Sequence, residues 1–196
     1  VGAKNQEFGM KITATMLAAA LAVAAPLASH AQSMSMSADP MVGGAAMYPS
    51  KNIVQNAIHS KDHTTLVAAV KAGGLVATLE SKGPFTVFAP TNEAFDKLPP
   101  GTVATLVKPE NKATLDKILT YHVVAGDYTS TDLLNMISAG GGKAMLKTVE
   151  GEQITLSMDG GHLVVTDAKG GTANVTIADV KQSNGEIFVI DSVLMP

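Results

Sequence analysis

Between Gly83 and Gly101 the chain packs a strand, a stop and a helix start into one short stretch, and this constrains the fold more than any other segment. Phe85-Thr86-Val87-Phe88-Ala89 is an apolar, β-favouring run opened by Gly83-Pro84. Such a run suits a strand covered on both faces. Pro90 ends it. Thr91 or Asn92 then caps a helix whose first turn carries Glu93 and Asp96, where negative charge meets the positive end of the helix dipole. Leu98-Pro99-Pro100-Gly101 closes that helix. Three of the five Phe residues, Phe85, Phe88 and Phe95, fall here. At roughly 1.5 to 3 kcal/mol per fully buried side chain, they mark the centre of the core.

The periodicity changes along the chain. Before this stretch, Ile53, Val54, Ala57 and Ile58 form one helical face after Pro49-Ser50, and a second helix runs from Asp62 to Ala72 with Gly73-Gly74 as its stop. Leu75 to Leu79 forms a short third. After Gly101 come a short helix at Thr102 to Val107, a longer one from Glu110 to His122, a strand start at Val123-Val124, and a helix capped within Ser130-Thr131-Asp132. Leu115, Ile118, Leu119 and His122 stand at i, i+3, i+4 and i+7, which puts the histidine on the buried stripe. From Ala144 onward the period becomes two. Met145–Val149, Gln153–Met158, Leu163–Thr166, Asn174–Ile177 and Glu186–Leu194 are separated by Gly-containing turns, among them Asp159-Gly160 and Asn184-Gly185. Helices first and strands afterwards, with one strand embedded among the helices, predict an α+β domain of mainly antiparallel strands flanked by several short helices.

The N-terminal part reads differently. Residues 1–9 lack an initiator Met and contain Glu7-Phe8, the dipeptide that an EcoRI site encodes, so they are read as a cloning scar. Residues 10–31 have the three parts of a secretory signal peptide: Met10-Lys11, the apolar Ile12–Leu27, and Ser29-His30-Ala31 as a small-x-small cleavage site. Pro26 and the short apolar length argue against a stable membrane anchor. Residues 32–47, rich in Met, Ser and Gly, read as a flexible linker, and 48–196 as one folded domain. The chain has no Cys, so no disulfide staples the exported fold. Its net charge is −3 and all 14 basic residues are Lys. The absence of Arg and of Trp argues against nucleic-acid partners.

No catalytic or phosphate-binding signature is present, and no cofactor is expected. Met34, Met36, Met41 and Met47 form a weak candidate set of thioether ligands for Cu(I). His59 and His63 have a zinc-compatible spacing only if one helix holds both, and Ser60 and Asp62 look more like a cap between two helices, so both are expected as surface histidines. Asn174-Val175-Thr176 fits a glycosylation sequon by chance.

Phe85 to Phe95 resembles the first signature of the fasciclin (FAS1) domain family without a break. Glu186-Ile187-Phe188-Val189-Ile190-Asp191-Ser192-Val193-Leu194-Met195-Pro196 is similar to the second signature, and Tyr121-His122 to the tyrosine-histidine motif between them. The resemblance implies a β-wedge or sandwich flanked by helices, and a secreted, non-enzymatic module for adhesion to a protein, cell-surface or matrix component. It marks Tyr121, His122, Asp116 and Ile118 as candidate binding residues, since some animal relatives engage integrins through this region. A structural reading is favoured for His122. A histidine on an apolar face and the lone carboxylate Asp191 in an apolar run both need partners, and one buried network of Thr91, Asn92, His122 and Asp191 is expected to tie the three motifs together. Self-association through the outer face of the sheet is a further expectation. The alternative function is a carrier of an apolar small ligand or of Cu(I), with a cavity near the sheet lined by residues such as Met136, Met145 and Met158.

Overall fold

The structure, a computed structural model, describes residues 39–196. The expected scar, the signal peptide and residues 32–38 lie outside the described residues. β1 (Met41–Val42) and β2 (Ala45–Ala46) form a small antiparallel hairpin. Its turn is Gly43-Gly44, both at positive φ, a conformation that costs glycine nothing. Val42 and Met47 are buried, so residues 39–47 belong to the folded body and the linker reading does not hold for them.

α1 (Ile53–Ala57) begins in a capping box formed by Asn52 and Gln55. A 3₁₀ turn at Lys61–His63 leads into α2 (Thr64–Gly73), stopped by Gly74 in the left-handed region, and α3 (Val76–Leu79) follows. β3 (Phe85–Pro90) then enters the sheet, and Thr91 caps α4 (Asn92–Asp96) by accepting from the Ala94 N–H. α5 (Thr102–Leu106) precedes α6 (Lys112–Tyr121), which starts two residues later than expected because Pro109–Asn111 forms a 3₁₀ turn. After β4 (Val123–Ala125), Thr129 and Asp132 make the capping box of α7 (Ser130–Ala139), so the cap lies one residue before the expected segment.

β5 (Lys143–Lys147), β6 (Gln153–Asp159), β7 (His162–Thr166), β8 (Thr172–Gln182) and β9 (Gly185–Ile190) are joined by the expected Gly-containing turns as antiparallel neighbours. The sheet order is β4-β3-β9-β8-β7-β6-β5, with β3 and β9 parallel and every other pair antiparallel. β8 is longer than expected and carries two register shifts, one at Asp179, whose φ is +54°. β9 ends at Ile190, short of the expected Leu194, because Asp191 turns its carboxylate back onto Asn174. The two end strands of the sheet also meet. Val124 bridges Thr148, and the Val149 N–H donates to the Val123 carbonyl at 2.7 Å.

β3 and β9 are covered on both faces. Val87, Ala89, Ile187 and Val189 point into a core shared with α1, α2 and α6. Phe88, Phe188 and Ile190 point into a second core shared with α7 and the inner face of β5–β8. The Phe88 and Phe188 rings lie 5.7 Å apart, a separation at which aromatic pairs attract beyond simple burial. Alternation along β5–β8 sends Ala144, Leu146, Ile154 and Leu156 inward and Lys143, Met145 and Gln153 outward.

Candidate functional site

α6 runs into a pair of side chains, one of which holds the C-terminal segment and the other the turn after β7. Tyr121 and His122 are both buried. The His122 Nδ1–H donates to the Ile118 carbonyl at 2.8 Å, and Nε2 accepts from the Leu194 N–H at 2.9 Å. Burial pushes the pKa of this ring down to about 4, against the smaller opposing effects of the Ile118 carbonyl and Asp167, so the neutral form is held. The Tyr121 hydroxyl donates to the Gln153 carbonyl at 3.2 Å and accepts from the Ala168 N–H at 2.9 Å. Burial raises its pKa. Asp167 completes the clamp: Oδ2 accepts from the Met195 N–H at 3.0 Å, while Oδ1 accepts from the Lys169 and Gly171 N–H groups. Tyr121 and His122 thus act on the fold through backbone groups.

This geometry corrects two expectations. Of the four candidate binding residues, Tyr121, His122 and Ile118 are buried, and only Asp116 is partly open to solvent, where it pairs with Lys112 at 3.0 Å. They do not form a contact surface. Nor do Thr91, Asn92, His122 and Asp191 form one network. Thr91 is a helix cap. Asn92 accepts from Thr64 and Thr65 and donates to the Lys61 carbonyl. Asp191 accepts from the Asn174 N–H and side-chain amide and from the Ser192 hydroxyl, and lies 3.6 Å from Lys97. Burial works against ionisation of Asp191, but those hydrogen bonds hold its pKa below the usual value.

Other buried polar links tie the first helices to β8 and the β8–β9 turn, through residues that the sequence did not single out. The Asn184 amide accepts from the Ile53 N–H at 3.1 Å and donates to the Leu79 and Ser81 carbonyls at 2.7 and 2.9 Å. It thereby joins the β8–β9 turn to the start of α1 and the end of α3. Asn56 exchanges hydrogen bonds with the Tyr48 backbone and donates to Gln182, which in turn donates to the Val180 carbonyl. Asn184-Gly185 does carry a sequence signal, but as a turn, which hides its second role.

A cavity of about 60 Å³ lies between α1–α3 and the helix-covered face of β3 and β9, lined by Val42, Met47, Leu66, Val87 and Ile187 among others. One of its lining residues is His63, buried at 3% exposure. Its Nδ1 lies 2.9 Å from Ser60 Oγ, and its Nε2 has no hydrogen-bond partner. His59 is exposed and His63 is buried, so the two do not converge. The expected methionine-lined cavity is absent from the described sheet. Met145 and Met158 are exposed, and only Met136 packs against the inner core. Met41 is exposed whereas Met47 is buried in the core, so these two do not share a ligand set, and Met34 and Met36 lie outside the described residues. Among the described residues no cluster of three His, Asp or Glu side chains is arranged to hold a metal ion, and no helix is long and apolar enough to cross a membrane.

Comparison with known proteins follows this architecture. The chain is 40% identical over 186 residues to Protein sll1483 of Synechocystis, covering 95% of this chain and 96% of that one. It is 36% identical over 209 residues to the immunogenic protein MPB70 of Mycobacterium bovis, covering 95% and 99% respectively. Its fold matches a solved FAS1 domain pair from the insect cell adhesion molecule fasciclin I with a TM-score of 0.67 at 22% identity, over 74% of this chain and 51% of that chain. The family model for the fasciclin domain matches residues 61–196, a span that contains both signature strands and the Tyr121-His122 clamp, and the chain belongs to the fasciclin domain family.

Proposed function

We propose that this chain is a secreted, non-enzymatic interaction module that acts in adhesion to a protein or a cell-surface or matrix component. The observation that supports this is the fasciclin domain itself, whose fold is similar to that of domains from an insect cell adhesion molecule. Fold likeness is a modest warrant for function, so the geometry has to say where contact occurs. With Tyr121 and His122 committed to the interior, the outward face of β5–β8 is the surface that offers side chains. Met145, Thr155, Thr166 and Thr172 stand in register across four strands and are exposed or half-buried. This gives a broad, mildly polar face suited to weak, multivalent contact.

The test is attachment of cells to surfaces in a strain lacking the gene. Attachment is expected to fall, to be restored by the wild-type chain, and not to be restored by a folded Met145→Asp, Thr166→Lys variant. Unchanged attachment in the deletion strain overturns the reading.

A second reading is a carrier of a small apolar ligand. It is supported by the cavity beneath α1–α3, whose lining is almost wholly apolar.

A further inference from the structure

Where β8 and β9 meet the start of α7, three carboxylates gather around one lysine. The register of β8 on β9 slips between Ile177 and Val180. Within that bulge Asp179 takes a φ of +54°, a left-handed conformation that residues other than glycine adopt at a cost. The twist aims its side chain at α7. Asp179 Oδ1 accepts from the Ser130 N–H at 2.6 Å and Oδ2 accepts from the Ser130 hydroxyl, so an exposed carboxylate on a strand fastens the first residue of the helix.

Glu186 lies beneath this fastening. It stands beside Thr86 of β3 and opposite Lys181 of β8. Thr86 holds the segment that leads into α7, donating to the Gly126 carbonyl and accepting from the Tyr128 N–H. The Glu186 side chain is 4% exposed, and no donor among the described residues reaches its Oε2. Its carboxyl group is in hydrogen-bonding contact with Asp179, and the other charges that face it are Asp127, from the segment before α7, and Lys181. Lys181 is exposed and forms an ion pair with neither carboxylate among the described residues. Two touching carboxylates repel when both are charged, whereas one proton shared between them turns the contact into a bond. Burial, with Asp179 and Asp127 adding to it, raises the Glu186 pKa to about 7.

We propose that the Glu186–Asp179 pair is a proton-operated latch on the N-terminal end of α7, closed while one proton bridges the two carboxyl groups and released when that proton is lost. On release Asp179, the exposed partner, swings away from the charged Glu186, gives up Ser130 and lets the bulge relax. α7 leads into β5, the last strand in the sheet order and one border of its outward face, so ambient pH sets how firmly that border is held. The direction follows from linkage. The latched form binds the proton more tightly than the open form, in which Glu186 returns toward its ordinary 4.5, so release is held back below 4.5, grows as pH rises and levels off above about 7.

The test is amide hydrogen exchange of the full chain by NMR from about pH 5 to about pH 8, with each rate corrected for intrinsic exchange. The Ser130 N–H should exchange faster than the Val165 N–H in the centre of β7, which marks local opening of α7. Its protection should fall about 10-fold or more between pH 5 and 7 and then flatten. In Glu186→Gln, whose amide donates to Asp179 at every pH, that fall should disappear. In Asp179→Gly, Ser130 protection should be low and flat while that of Val165 is kept, a readout that stands even if Glu186→Gln fails to fold. Ser130 and Val165 following one curve in wild type would mean that the proton acts on global stability alone, and a Ser130 profile independent of pH would mean that no proton is shared. Either result overturns the latch.

Discussion

The ring of His122 accepts a hydrogen bond from the Leu194 N–H across 72 residues of sequence, at 2.9 Å. Protonation of Nε2 would remove that acceptor and put a charge in the core. The folded-state pKa is pushed from 6.5 down to about 4. A depressed histidine pKa contributes stability that is fully present above 6.5 and is lost as pH falls from 6.5 through 4. The displacement corresponds to at most about 3 kcal/mol. Thermal melts of wild type and His122→Gln should show the variant less stable near neutral pH and the gap between them closing as pH approaches 4. A gap independent of pH would show that the ring's proton does not matter.

Glu186 runs the opposite way. Its side chain is buried and Oε2 has no partner. Burial raises its pKa to about 7, with Asp179 and Asp127 adding to the effect and Lys181 opposing it. Because the folded state holds the proton more tightly than the unfolded one, its contribution is present below about 4.5 and is lost as pH rises through 7. Glu186→Gln keeps the shape of the neutral carboxyl, so it should be more stable than wild type above neutral pH and differ little below 4.5. Parallel stability-against-pH curves for the two proteins would refute this.

Asn184 satisfies three backbone groups, those of Ile53, Leu79 and Ser81. Asn184→Ala strands them in a buried site, and at about 1 to 3 kcal/mol per orphaned group the loss should reach at least about 2 kcal/mol in urea unfolding. Asn184→Asp keeps the acceptor for Ile53 but no longer donates to the two carbonyls, so it should also destabilise. A loss under about 0.5 kcal/mol for both, the range of ordinary surface substitutions, would mean that water replaces the amide.

The contact between the ends of the sheet rests on few bonds. Val149→Pro removes the N–H that reaches the Val123 carbonyl and opens the rim beside β4 and β5. Exposed strand edges promote aggregation, so size-exclusion chromatography with light scattering should show soluble oligomers for this variant at concentrations where wild type runs as a single species. An unchanged profile would place the protection elsewhere, for example in the packing of α7 against β5.

Much of the fold was legible because local signals agreed. The apolar run at Phe85–Ala89, the Thr91 cap and the Gly-containing turns after Gly142 each specify one conformation by nearby chemistry. His122 could be placed on the buried side of α6 from spacing alone, whereas the burial of its neighbour Tyr121 could not. Their partners could not, because hydrogen bonds to Leu194, Ala168 and Gln153 depend on which backbone groups tertiary packing brings close. The expected His122–Asp191 link failed for the same reason: Asp191 found Asn174 on the neighbouring strand. Asn56, Gln182 and Asn184 were hidden as ordinary polar residues. His63 was read as part of an exposed pair because a buried side chain on a single 3₁₀ turn leaves no periodic trace.

The strand nearest the C-terminus, β9, lies inside the sheet beside a partner laid down about a hundred positions earlier. Both cores therefore stay incomplete until β9 has been made, long after β3. For a protein proposed to leave the cytoplasm, that ordering delays folding while translocation takes hold, and it makes loss of β9 far more damaging than a cut of equal length in an exposed turn.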